Sequence, residues 1–150
     1  MLFWRALLAF TLLPGLVGFA APGAIVWFDA DVPTFHPVGI IPFISGVCLL
    51  LWCVRDFYIA GKGTLAPWDP PRHLVEVGLY RISRNPMYIA VVLILVGWVT
   101  CFRVRTLVVY AIAVAAAFHL RVVLGEEPWL ARTFGEEWQK YAARVPRWLI

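Results

Sequence analysis

The sequence predicts an all-α integral membrane protein: about four transmembrane helices, the last two a tight hairpin, then a C-terminal amphipathic helix. Three observations predict it. Of the 150 residues, 62% are hydrophobic and only 15% charged, with a mean hydropathy of +0.80. An ordinary soluble domain has roughly 45–50% apolar and about 25% charged residues. Charge-free windows of span length recur along the chain, and the charges fall in short stretches between them. The same figures exclude disorder, collagen-like repeats and a disulfide scaffold. The length fits a single membrane domain, 1–150, with no room for a separate soluble catalytic domain. Any chemistry therefore falls to the loops and tails between spans.

Between Arg5 and Asp29 lie 23 residues without Lys, Arg, Asp or Glu, a first helix kinked at Pro14. Arg5, the apolar core Leu7 to Val17 and Gly18-Phe19-Ala20 also have the pattern of a signal peptide. The apolar run continues to Phe28, longer than a signal core, which favours a retained helix. Residues 37–54, 18 without charge, give the second helix. Gly61 and Gly63 are expected to end it, and Pro67, Pro70 and Pro71 to make a stiff extended turn. Residues 85–102, again 18, give the third, with Asn85 as N-cap and Pro86 in the first turn. The fourth runs from Thr106 to about Gly125, interrupted by His119 and Arg121, and only Arg103-Val104-Arg105 joins it to the third. From Pro128 onward, Leu130, Phe134, Trp138 and Tyr141 recur at spacings of 4, 4 and 3, the pattern of an amphipathic helix. Such a helix either lies on the membrane surface or covers a pocket between spans.

The net charge of +4 carries no nucleic-acid signal, because the basic residues lie singly beside apolar stretches. Eleven of the thirteen fall on one side: Arg5, Arg55, Lys62, Arg72, Arg81, Arg84, Arg121, Arg132, Lys140, Arg144 and Arg147. Arg103 and Arg105 fall on the other, whose 29–36 loop holds Asp29 and Asp31 and no Lys or Arg. The positive-inside rule then places both termini and the 61–84 loop in the cytoplasm, and in a bacterium the span-bearing chain in the inner membrane. Cys48, Cys53 and Cys101 sit in or at the end of apolar runs without metal-ligand spacing, so they read as buried thiols and no metal site is expected.

Two polar groups exceed what an anchor needs. Arg84-Asn85-Pro86 is accounted for by the start of a helix alone; equally, a helix N-terminus beside an Arg makes an anion site. His119, Arg121, Glu126 and Glu127 fall within nine residues at the end of the fourth apolar segment. Ionisable groups at membrane depth are costly and suggest function. Arg121 either pairs with Glu126 or Glu127 structurally, or the two carboxylates hold a ligand ammonium or hydroxyl. His119 alone reads as a buried tautomer hydrogen-bonded to backbone.

Together these residues resemble a known signature. Gly78-Leu79-Tyr80-Arg81-Ile82-Ser83-Arg84-Asn85-Pro86-Met87-Tyr88, followed by Gly97-Trp98, is similar to the "GPYR…R(H/N)PMY…GW" motif of a membrane methyltransferase superfamily. Arg121…Glu126-Glu127…Leu130…Phe134-Gly135…Trp138…Tyr141…Val145-Pro146-Arg147 resembles its "R…EE…L…FG…Y…Y…VPR" tail. This is the isoprenylcysteine carboxyl methyltransferase and phospholipid methyltransferase superfamily, and the resemblance covers residues 55–148. Leu79 replaces the usual Pro, and Ala90 stands where Gly is common. Asn85 replaces the His of the prenylcysteine enzymes, while Asn at that place also occurs in phospholipid methyltransferases.

The resemblance implies S-adenosylmethionine as methyl donor. It places Tyr80, Arg84, Asn85, Pro86 and Tyr88 on one wall of the cofactor site, and Arg121, Glu126, Glu127, Phe134, Tyr141 and Arg147 on the other. Glu126 or Glu127 would take the cofactor's ammonium, and Arg84 or Arg147 its carboxylate. Arg121, Glu127 and His119 are the expected catalytic residues. The implied acceptor is lipophilic, a prenylcysteine-like carboxylate, a phospholipid amine or a similar group such as a quinone-like isoprenoid or a thiol, and would arrive from the bilayer between the third and fourth helices. A carboxylate acceptor needs no base; an amine or thiol needs one, and His119 or a Glu is the local choice. The alternatives are a reductase related to the NADPH-dependent sterol enzymes, whose tail is distantly similar, and a non-enzymatic helical membrane subunit.

Overall fold

The computed structural model describes residues 11–29, 34–61 and 73–149, and all regular structure among them is helical. A π-helical segment, Thr11–Ala20, leads into α1 (Ala21–Trp27). The remaining helices are α2 (Ile40–Gly61), α3 (Pro86–Phe102), α4 (Arg105–Arg121) and α5 (Glu127–Arg144). The expected Gly63 stop and the Pro67, Pro70 and Pro71 turn lie outside the described residues. Pro37–Phe57 and Arg105–Arg144 are long and apolar enough to cross a membrane, and Pro14–Trp27 and Pro86–Phe102 are shorter apolar helices.

Prolines mark the first helix. Pro14 lies inside the π-helical segment. Pro22, in the first turn of α1, has no N–H for the carbonyls behind it. Those of Val17 and Gly18 are taken instead by side chains from elsewhere. Tyr110 Oη donates to Val17 O at 3.0 Å, and Trp98 Nε1 donates to Gly18 O at 3.0 Å.

The seam between α2 and α3 is packed backbone to backbone. A Cβ on Gly46 would fall 2.7 Å from the Ile94 amide nitrogen, and one on Gly97 would fall 2.7 Å from Phe43 Cα. Small residues at such crossings let two helices approach without side chains between them. Leu50, Ala90, Val91 and Ile94 form the core of this seam, with Phe43, Trp98 and Phe118 packed against it.

The α3–α4 hairpin turns on two residues. Arg103 adopts the left-handed conformation (φ 52°) and donates its N–H to Val99 O at 2.8 Å, closing α3; Val104 is extended and opens α4. The sequence spacing foresaw this turn. It did not foresee the continuation of α4. Gly125 does not stop the helix: a π-helical turn, Val122–Glu126, carries the chain directly into α5. Nor is α5 the uninterrupted amphipathic helix that the 4, 4, 3 spacing suggested. Gly135 (φ 50°, ψ −120°) breaks it, a backbone conformation that only glycine adopts without strain. The apolar stripe nevertheless packs inward: Trp138, Tyr141 and Val145 bury against Leu74, Leu130 and Phe134.

Candidate active site

The site grows from two chain segments that clasp each other. Between Gly78 and Pro86 the backbone makes a short 3₁₀ turn, Gly78–Arg81, and then starts α3. Arg84 N–H donates to Pro146 O at 2.9 Å, and Ser83 Oγ and Asn85 Nδ2 both donate to Arg147 O, at 3.2 and 3.0 Å. Asn85 thus stands at the N-cap position of α3 without capping it. Its side chain reaches across to the tail, and Ser83 Oγ accepts the Asn85 N–H instead, at 3.1 Å. Behind the clasp, Tyr141 Oη donates to Tyr80 O at 2.7 Å. Both tyrosines are buried, and burial pushes the Tyr80 phenol well above its ordinary value, so the ring is neutral.

On this frame Glu127 sits between two guanidiniums. Arg147 donates through Nε and Nη2 to its two carboxylate oxygens, at 2.9 and 2.8 Å, and Arg84 Nη1 approaches at 2.9 Å. Arg84 and Glu127 side chains are only 14% and 15% exposed, and Arg84 lies over the Trp138 ring at 5.4 Å. The hydrogen bond to Glu127 raises the Arg147 pKa, fixing its charge. Two cations against one carboxylate leave the cluster with net positive charge. One donor is left over: Arg84 Nε is buried and has no acceptor.

Glu126 points elsewhere, as neighbouring residues on a helix do. It accepts hydrogen bonds from Tyr88 Oη and from Arg121 Nε, the latter at 2.8 Å, and Arg121 Nε also lies 3.1 Å from Tyr88 Oη. The expected ion pair of Arg121 is therefore with Glu126 and not with Glu127. This second cluster is more open, with 47% of the Arg121 side chain and 34% of the Glu126 side chain exposed. Tyr88 also lines an apolar cleft of about 310 Å³, together with Ile89 and Val92 of α3, Ala115, Phe118 and His119 of α4, and Trp148. His119 is exposed, not the buried histidine expected, and stacks on Trp148 at 6.1 Å.

The named residues thus divide three ways. Arg84, Glu127 and Arg147 form one ionic cluster; Tyr88, Arg121 and Glu126 form the other, beside His119. Tyr80, Asn85, Pro86, Phe134 and Tyr141 lie in the clasp and its packing. Sequence reasoning named Ser83 and Trp138 only as motif and stripe residues, with no role in the site, and passed over Trp148. It also passed over Asp56, whose carboxylate is buried at the end of α2 with Oδ2 unpartnered. A Cβ on Gly78 (φ 56°) would fall 1.9 Å from that oxygen, so glycine is required there twice over, by conformation and by space. In the sequence, Asp56 beside Arg55 reads as an ordinary charge at the end of a span.

Among the described residues two helices are long and apolar enough to cross a membrane, and a charged cluster stands beside them. The family follows from comparison with known proteins. The phospholipid methyltransferase family matches residues 35–137, and the chain belongs to it. The matched range takes in α2, which the motif resemblance left largely outside, and stops short of Tyr141 and Arg147. Among curated proteins and among solved structures, nothing matches. Membership makes the chain a membrane methyltransferase.

Proposed function

We propose that the protein transfers a methyl group from S-adenosylmethionine to a lipophilic acceptor, with residues 55–148 as the catalytic core. The observation that carries this reading is the orphaned Arg84 Nε beside a cluster of net positive charge. A buried guanidinium donor lacking an acceptor fits a ligand carboxylate, and the methionine part of the cofactor carries one. The aromatic density around it, with Trp138 under Arg84, suits a cationic sulfonium as well.

Bound there, the cofactor would supply an electrophilic methyl group; the remaining work is positioning. Arg84 and Arg147 bind the carboxylate. Glu127 holds the two guanidiniums at a fixed separation, and it is the carboxylate within reach of the ligand ammonium. The clasp from Ser83 and Asn85 to Arg147 O keeps both walls in register. Arg121 and Tyr88 hold Glu126 in a fixed direction. His119, exposed on the cleft rim, takes the proton from an amine acceptor; a carboxylate acceptor would not need it.

In the bilayer the same reading has four spans, the first made by the π-helical segment together with α1 and the others by α2, α3 and α4, with both termini, the 61–84 loop and the cofactor site in the cytoplasm. The basic residues support this orientation.

Calorimetric titration of the detergent-purified protein with S-adenosylhomocysteine, with NADPH in parallel, tests the reading. Binding of S-adenosylhomocysteine alone is expected. Binding of NADPH alone would move the chain to the reductase chemistry, and binding of neither by folded protein would leave a helical subunit.

A further inference from the structure

Asp56 takes no part in the chemistry of either ionic cluster, yet its carboxylate is buried near the end of α2. Oδ1 pairs with the exposed Arg55 at 3.2 Å, and Oδ2 has no hydrogen-bond donor. A buried acceptor left in this state costs stability, and each such group calls for a reason. What Oδ2 meets is backbone. It stands 1.9 Å from the point where a Cβ on Gly78 would lie, and Trp52 Nε1, one turn earlier on α2, stands 3.2 Å from that point. The two side chains form a notch in which Gly78 sits with φ 56°, its Cα–H toward Oδ2.

The position is handed on along the chain. Tyr80 N–H donates to Val77 O at 3.1 Å, and the N–H groups of Ile82 and Ser83 both donate to Leu79 O, at 3.0 and 3.2 Å. Residues 77–83 are thus one hydrogen-bonded unit, with Arg84 directly after it. The far end of the unit is tied to the tail through Ser83 Oγ and the Arg84 N–H. Its near end is referenced to α2, where Tyr80 and Val75 also pack with Cys53 and Phe57. α2 is a firm reference, since it meets α3 backbone to backbone at Gly46 and Gly97.

We propose that Asp56 is a positioning residue of the cofactor site: through Gly78 it sets where the 77–83 unit begins, and so where Arg84 presents its unpaired Nε–H. This rests on the methyltransferase reading and adds to it a residue that lies outside both ionic clusters. Its carboxylate serves the site at the expense of the fold. Removing it should therefore weaken cofactor binding without weakening the protein, two effects of opposite sign that an ordinary packing residue does not give. Shape fills the notch, so an amide of the same outline should do the work of the carboxylate.

The test compares the full-length parent with Asp56→Ala and Asp56→Asn in detergent. Three quantities are read: S-adenosylhomocysteine affinity by calorimetry, melting temperature, and amide hydrogen exchange by mass spectrometry. Asp56→Ala should bind about tenfold more weakly. Its melting temperature should hold or rise by about 2–4 °C, and exchange should quicken in residues 79–85 and not along α2. Asp56→Asn should keep affinity within about twofold of the parent and keep the protection of 79–85. Gly78→Ala should also weaken binding, and should do so much less in the Asp56→Ala background, where the notch is empty. A melting temperature that falls in step with affinity, Asp56→Asn as weak as Asp56→Ala, additive losses with Gly78→Ala, or unchanged exchange in 79–85 would each overturn the proposal. A parent that fails to bind S-adenosylhomocysteine while Asp56→Ala still loosens 79–85 would instead remove the methyltransferase reading and leave the positioning of Arg84 standing, so the two failures are distinct.

Discussion

Glu126 and Glu127 are adjacent, and their surroundings are opposites. Glu127 is enclosed, held by two arginines drawn from the start of α3 and from the tail, and its cluster has one donor too many. Glu126 is open, held by one arginine on its own rod of helix and by one tyrosine, and its cluster balances. The π-helical turn that ends at Glu126 lies between α4, which carries the cleft wall, and α5, which carries the clasp partner. Widened turns of this kind often mark functional sites. What the pair teaches is that a doubled carboxylate need not be one site. Here the two carboxylates belong to separate clusters, one enclosed and one open.

The comparison predicts unequal damage. Glu127→Ala should be the most severe, because it leaves Arg84 and Arg147 facing each other in a largely enclosed place. About 2–4 kcal/mol of stability should be lost, read as a lower melting temperature in detergent, together with S-adenosylhomocysteine binding by calorimetry. Retention of both would remove the distinction between the two glutamates. Arg84→Lys keeps the charge and removes the orphaned Nε–H and the planar fork; S-adenosylhomocysteine affinity should fall about tenfold with little change in melting temperature. If instead it binds as tightly as the parent, the unpartnered donor is not the carboxylate's anchor. Glu126→Gln should cost no more than about 1 kcal/mol, since the Arg121 pair is exposed and the amide still accepts from Tyr88. Its effect should appear in methyl transfer to the acceptor, measured with labelled donor, rather than in cofactor affinity. The smallest effect is ionic: raising salt from about 0.05 to about 0.5 M should remove most of the difference in melting temperature between Glu126→Gln and the parent. It should leave the Glu127→Ala deficit largely in place.

The four apolar helices were legible because membrane length and charge exclusion are one-dimensional properties. The window 85–102 and the helix Pro86–Phe102 differ at a single end residue, and Arg103-Val104 turns where the charges said it would. The stripe Leu130, Phe134, Trp138, Tyr141 was legible for the same reason, periodicity being local. Partner choice was not. Asn85 looked like a cap, and it became a cross-link to a carbonyl 62 positions away because the tail happens to pack there. The two glutamates were a pair in sequence and separated only when the π-helical turn fixed their directions. Gly135 gave no warning, since a lone glycine in an amphipathic pattern is usually tolerated as helix. The motif resemblance named most of the cluster residues, and geometry sorted them into enclosed cluster, open cluster and packing. Asp56 lay outside both kinds of signal.

The carbonyls of Val17 and Gly18 tie the first helix to the second half of the chain. Pro22 has no N–H to offer the turn behind it, and side chains from elsewhere reach in to that turn. The donors, Trp98 and Tyr110, stand 80 and 93 residues further along the chain, on the two arms of the α3–α4 hairpin. The hydrogen bonding of the first helix is thus completed by residues remote in sequence, and loss of the hairpin would leave these two acceptors without those donors.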